Sequence, residues 1–397
     1  LGARLDNARL YDINGNTLGN HYSLATLKWI KEHQPELYDQ TDHFLLWGSF
    51  IPYMLGAEPK VDISVANRTL LFDLDQEDWS DELLAWADLE REKLPATVQS
   101  GTVIGRVERP VAEDLGLPPG ALLVAGAHDQ CANAVGCGVI DAGRAVYGMG
   151  TFFCLTPAFS PRRETEVMMA RGLNTEHHAV PDLFVSFLYN QGGVLVKWFR
   201  DTFAAEEARQ CRKTGEDVYD RLMAEMPSRP SSVFVLPHFA PTGPPDFVAD
   251  SRGVVVGLQL ETTRGDILKG VIEGISFYLK EVVDSLDATG IDINEYRATG
   301  GGARSDDWVQ TVADIMGQPV ARPENTEAGA LGAAIIAGLG SGAFASYSDG
   351  VDAMVRLERT FEPDPVMHKR YQPRFEHYRR LWPLMQGYLR ELASAAI

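Results

Sequence analysis

EYRATGGGARSDDWVQTVADIMG, Glu295 to Gly317, reads as a short strand, a glycine turn and a helix. Glycines at Gly300, Gly301 and Gly302 lack a Cβ, so a flat base, a ribose or a phosphate can lie against their backbone at a helix start. The plain alternative is a flexible loop, but such a definite strand and helix on either side favour the cradle. The stretch is neither the P-loop pattern GxxxxGK[ST] nor a GxGxxG dinucleotide fingerprint. Outward from it, strands alternate with helices. TRGDILKGVIEGISFYLKEVVDSLDATG predicts a long helix with Thr263 as N-cap and Gly290 as C-cap, and TEAGALGAAIIAGLGSG a small-residue helix able to pack closely. Upstream, TVIGRV and ALLVAGAHD read as short strands, and residues 21 to 56 as helical with an interruption at Pro35. The fold class is α/β.

The chain has 397 residues, which suggests two domains, with a boundary near residue 140: 1–140 and 141–397. A net charge of −19 argues against a general nucleic-acid surface, and any anionic substrate must be held by local donors. No apolar run approaches the ~18–20 residues of a membrane span, and LGARLDNARLYD is not a secretory signal. None of the four cysteines forms a CxxC pair; three sit in or beside small apolar segments, which fits a reducing cytoplasm.

Two further stretches carry chemistry. In GAHDQCANAVGCG, Gly126 to Gly138, Asp129 follows an apolar strand, where it is expected to be partly desolvated. It can act as a general base toward a hydroxyl, help to hold Mg²⁺, or merely cap a helix. His128 beside it reads first as a packed histidine. In GMGT, Gly148 to Thr151, glycines between two strands let backbone N–H groups approach an anion, and the Thr151 hydroxyl adds a donor; a simple hairpin turn is the plain alternative.

GAHDQCANAVGCG, GMGT and GGGARSDDWVQTVADIMGQPV…ENTEAGALGAAIIAGLGSGAF, in this order, with VDISVANRTLLFDLDQEDWSDELL before them, resemble the FGGY family of carbohydrate kinases, its xylulokinase-like members above all. The resemblance runs from about Asn7 to about Leu392. It implies an actin-like, ribonuclease-H-like fold with two domains around a cleft, a sugar on the N-terminal domain and ATP on the C-terminal one. It implies Asp129 as the base that takes the sugar hydroxyl proton and, indirectly, as a partner of Mg²⁺. Gln130 and His128 would meet the sugar. Gly150 and Thr151 would face the phosphates, and Gly193 and Lys197, after LYNQGG, would line the nucleotide pocket. Gly301, Gly302 and Ala303 would contact adenosine, and Asp306 the base. The small residues after Asp129 would leave room for closure over a sugar. A homodimer is expected, with no nucleic-acid or membrane partner.

The sequence departs from the family pattern in two places. The DxGT hairpin with which family members begin is not in the chain, so this chain is expected to be poorly active. HFAPTGPPDFVADSRG replaces a GERxP-type stretch, which leaves ribulose, a polyol or glycerol open beside xylulose. A non-catalytic sugar- or nucleotide-binding relative and a chaperone-like ATPase are the readings from other classes.

Overall fold

The computed structural model describes residues 6–243, 247–325 and 327–395. Pro244 and Pro245, part of the departure noted above, lie outside the described residues. The chain divides into two compact units. The first holds Leu1–Ala142, Pro157–Ser186 and Glu327–Arg356; the second holds Gly143–Thr156, Phe187–Thr326 and Leu357–Ile397. The sequence placed a single boundary near residue 140. The chain does pass between units at Ala142–Gly143, but segments 157–186 and 327–356 return to the first unit, so the units are not contiguous in sequence.

In the second unit the sheet runs in the order Leu357–Phe361, Val320–Pro323, Glu295–Thr299, Arg144–Met149, Phe152–Phe159 and Leu188–Gln191. Val320–Pro323, Glu295–Thr299 and Arg144–Met149 are parallel, and Leu357–Phe361 is antiparallel at the edge. The register pairs Glu295 with Arg144 and Thr299 with Gly148. It therefore brings the turn after Gly148 and the turn after Thr299 to the same carboxyl end of two neighbouring strands, where open α/β sheets place ligands. Phe152–Phe159 pairs through residues 152–155 with Leu188–Gln191; its last residues, Ala158 and Phe159, belong to the first unit and pair there with Phe184–Val185.

The helix Arg264–Asp284 starts as expected, with Thr263 and Asp266 forming a reciprocal capping box. It stops at Ser285, short of Gly290, which ends a separate 3₁₀ turn, Asp287–Thr289. The helical region 21–56 resolves into Ser23–His33, Pro35–Gln40 and Trp47–Met54. Pro35 opens the second of these at its first position, where a missing N–H costs nothing.

The first unit has a core of Leu10, Leu24, Leu70, Leu71, Phe72 and Leu83, all fully buried. Lys60–Asp62 pairs in parallel with Ala96–Val98, and Val103–Arg106 with Leu122–Val124 in antiparallel. The helix Asp129–Gly136 lies against Ala328–Ser341. That contact corrects the expectation for the small residues after Asp129. A Cβ on Gly136 would stand 1.8 Å from the carbonyl oxygen of Ala328, and one on Gly332 1.8 Å from that of Ala132. The two helices pack backbone to backbone, and the small side chains serve that contact inside one unit.

Candidate active-site regions

Glu295–Thr299 ends at Gly300, which has φ of 88°, a left-handed conformation that suits glycine. A 3₁₀ turn, Gly301–Arg304, follows. Ser305 then caps the helix Asp306–Met316, its hydroxyl accepting from the Trp308 N–H at 3.3 Å. Beside this turn runs the Gly148–Thr151 turn. Behind both, Trp308 is buried and stacks on Phe153 with ring centroids 5.5 Å apart. Gly193 opens the helix Gly193–Phe203 and donates its N–H to the Gly150 carbonyl at 2.9 Å. A Cβ on Gly193 would stand 2.6 Å from that same oxygen, so the glycine is needed to join helix to turn.

These elements enclose a cavity of about 520 Å³ within the second unit. Of the residues expected at a nucleotide, Gly150, Thr151, Gly193, Lys197, Gly301 and Gly302 line it. Ala303 and Asp306 do not. Ala303 is fully buried, and its carbonyl accepts from Arg322 Nη1 at 2.9 Å. Asp306 is held by two arginines: Oδ1 accepts from Arg322 Nη1 at 2.8 Å and Oδ2 from Arg359 Nη1. Its carboxylate thus ties the helix start to the edge of the sheet rather than presenting itself to a base.

The three glycines of this turn are there for different reasons. A Cβ on Gly302 would come to 3.0 Å from Met149 Cβ and 3.3 Å from the Trp308 ring, so packing there crowds a side chain. A Cβ on Gly301 would meet no protein atom within 4 Å, and Gly301 faces the cavity. The protein has no steric need of a glycine at that position.

The remaining wall was not legible as a site. Asp217, Tyr219, Asp220 and Met223 come from the short helix Val218–Met223 and its cap. The only signal in the sequence was an N-cap, Asp217, which accepts from the Tyr219 N–H at 2.8 Å. Arg200 fixes Tyr219, donating to its hydroxyl at 2.8 Å and lying over its ring at 5.4 Å.

In the first unit, Asp129 is the first residue of the helix Asp129–Gly136, after His128 at the N-cap. Its side chain is 81% exposed, so the expected desolvation is absent. The strand Leu122–Val124 ends several residues earlier, and the first helical turn points this side chain outward, where the helix dipole favours a carboxylate. His128 Nε2 lies 3.4 Å from Asp129 Oδ1. Burial depresses the His128 imidazole pKa, which favours the neutral ring. Gln130 is half-buried on the same turn. His128, Asp129 and Gln130 are thus together by chain continuity, on one helix start.

Among the described residues no group of three or more His, Cys, Asp or Glu side chains is placed to hold a metal ion, and no helix is long and apolar enough to cross a membrane. The four cysteines are thiols.

Comparison with known proteins bears on both regions. The model of the N-terminal domain of FGGY carbohydrate kinases matches residues 1–136, and that of the C-terminal domain residues 144–341. Xylulose kinase of Bacillus subtilis is 26% identical over 374 residues, 94% of this chain and 73% of that protein. Autoinducer-2 kinase of Escherichia coli K12 is 30% identical over 394 residues, 92% of this chain and 72% of that protein. The crystal structure of xylulose kinase from Rhodospirillum rubrum superposes with a TM-score of 0.83 at 26% identity, covering 98% of this chain and 77% of that one. The fold is therefore the two-domain, actin-like α/β fold expected above. With both domain models matched in order along most of its length, the chain belongs to the FGGY family of carbohydrate kinases, enzymes that phosphorylate an alcohol group of a sugar.

Proposed function

We propose that this kinase transfers the γ-phosphoryl group of ATP to a hydroxyl of a ketopentose such as xylulose, with Asp129 as the general base. The observation that carries the nucleotide half is Gly301. It is a glycine that the protein's own packing does not require, on the wall of a cavity lined by two glycine turns and a helix start. A ligand that must lie flat on the backbone supplies the missing reason. In this reading adenosine rests on Gly301 and Gly302, and the phosphates meet Gly150, Thr151, Gly193 and Lys197.

Asp129 takes the proton from the sugar hydroxyl as its oxygen attacks the γ-phosphorus. The new O–P bond forms as the bond to the β–γ bridging oxygen breaks, and that electron pair leaves with ADP. Gln130 and His128 orient the sugar, and a neutral imidazole can accept as well as donate. Mg²⁺ would supply charge neutralisation on the phosphate oxygens. Such an ion keeps several waters and rests largely on substrate phosphates, so the exposed Asp129 carboxylate would meet it indirectly, through water.

Xylulose is favoured by the xylulose kinases among the similar proteins, while a similar protein at 30% identity is an autoinducer-2 kinase. ADP release measured across xylulose, ribulose, glycerol, gluconate and autoinducer-2 tests the reading. Turnover that depends on sugar and is highest with xylulose supports it. Turnover without sugar, or sugar binding without turnover, overturns it.

A further inference from the structure

The exposed carboxylate of Asp129 has little around it to fix its position. It must be placed by the backbone that carries it, and the structure shows what holds that backbone at its start. The His128 N–H, at the N-cap immediately before Asp129, donates to Ser64 Oγ at 2.8 Å. The Ser64 hydroxyl donates in turn to Asp62 Oδ1. Asp62 is itself anchored: it caps the short helix Ile63–Asn67, accepting from the N–H groups of Ser64 at 2.9 Å and Val65 at 3.2 Å, and its Oδ2 accepts from Ser100 Oγ. It sits at the end of the strand Lys60–Asp62, whose partner strand Ala96–Val98 leads to Ser100. Ser64 is 1% exposed and Asp62 6% exposed, so solvent does not compete for these bonds. Two residues further along the Asp129 helix, the Cys131 thiol donates to the His177 carbonyl at 3.5 Å, a second tether on the same helix.

We propose that Asp62 and Ser64 are positioning residues for Asp129: a hydrogen-bonded relay from a buried carboxylate through a serine hydroxyl fixes the start of the helix that presents the base. This rests on the reading of Asp129 as base. The relay spans from Ser64 to His128 in sequence, and every member lies within the first unit.

Asp62 is held in place against a desolvation cost. Burial pushes its carboxyl up to about 6, despite four donors that favour the charged form. Near neutral pH the folded chain therefore carries a carboxylate that costs more to ionise in place than in the unfolded chain.

The test uses the whole chain and the sugar of highest turnover from the panel above. Ser64→Ala breaks the relay while leaving Asp62 and Asp129 in place. It should lower kcat about tenfold or more, leave the KM for ATP unchanged, and speed amide exchange in a peptide spanning residues 126–133 by a similar factor. Ser64→Thr, which keeps the hydroxyl, should restore both. Asp62→Asn should lower kcat without lowering the melting temperature. On an Asp129→Ala background, Ser64→Ala should cost nothing further.

Unchanged exchange in residues 126–133 overturns the relay, whatever the turnover. So does an undiminished kcat in Ser64→Ala when Asp129→Ala is inactive. A kcat loss that tracks a fall in melting temperature, or that persists on the Asp129→Ala background, reduces Ser64 to a structural residue and overturns it as well. If Asp129→Ala itself turns over normally, the base reading fails, an outcome separable from the exchange result.

Discussion

The two units handle their chemistry in opposite ways. The first concentrates it in one carboxylate, exposed on a helix start and held from beneath by buried polar side chains. The second spreads it over backbone, in glycine turns gathered at the carboxyl ends of two parallel strands. A side-chain site is broken by removing atoms, and a backbone site by adding them. The sharpest tests of the comparison are therefore a deletion in one unit and an insertion in the other, each scored on both sugar turnover and nucleotide binding.

The largest effect is expected from Asp129→Ala. Loss of a positioned base should reduce kcat by about 10²–10⁴-fold. ATP affinity, measured by calorimetry, should stay as it is, because the cavity that would hold the nucleotide has no lining residue from the first unit. Parallel loss of turnover and ATP binding would break the division of labour.

Insertion is the converse. Gly301→Val should weaken ATP binding about tenfold or more while leaving the melting temperature unchanged, because the new side chain enters space that no protein atom occupies. Gly302→Val differs. Its side chain would press on Met149 and Trp308, so it should also destabilise the fold by about 1–3 kcal/mol, as overpacking does. If Gly301→Val left ATP binding unchanged, the cavity would not be where the nucleotide lies.

The units also each bury a carboxylate, and these too should separate. In the second unit Glu273 is 1% exposed; it accepts from the Ser231 N–H at 3.0 and 3.2 Å and from the Tyr371 hydroxyl at 3.0 Å, with Lys269 and Arg374 nearby. Burial raises it to about 7. The folded state then holds a proton on Glu273 that the unfolded state, at an ordinary carboxyl value, has lost. Its contribution to stability is present below about 4.5 and falls away as pH rises from there through 7. Glu273→Gln should flatten that decline, gaining on the order of 1–2 kcal/mol relative to the parent between pH 5 and 8 in thermal melts, with kcat unmoved. Asp62→Asn should do the reverse on activity. A kcat loss in Glu273→Gln as deep as that in Asp62→Asn would erase the distinction between a carboxylate that positions the site and one that does not.

What was legible in the sequence follows a physical pattern. Glu295–Gly317 could be read because everything that decides it is local: a strand run, a glycine forced to positive φ, a serine cap and a helical period. The small-residue helix Ala328–Ser341 was legible as close-packing, but its partner was not. That Gly332 meets Ala132 and Gly136 depends on the chain returning to the first unit at Glu327. The relay behind Asp129 was hidden because it joins Ser64 to His128, 64 residues further along the chain. DIS at Asp62–Ser64 carries the mark of a helix cap, and nothing in it announces a hydrogen bond to His128.

Asp306 shows the limit most plainly and gives the smallest expected effect. The family resemblance implied contact with a base, but its two oxygens are taken by Arg322 and Arg359, from strands that sequence spacing could not bring near. Arg322 keeps Glu358 as a second partner, at 2.8 and 3.2 Å, so removing Asp306 does not strand a buried cation. Asp306 is itself half exposed, where ion pairs contribute little. Asp306→Ala should therefore cost about 1 kcal/mol or less in a denaturant titration, from the pair and the favourable helix-start charge together. ATP affinity should not change. A tenfold loss of ATP affinity with stability intact would return this aspartate to the nucleotide and would mean that the arginines release it when the cavity fills.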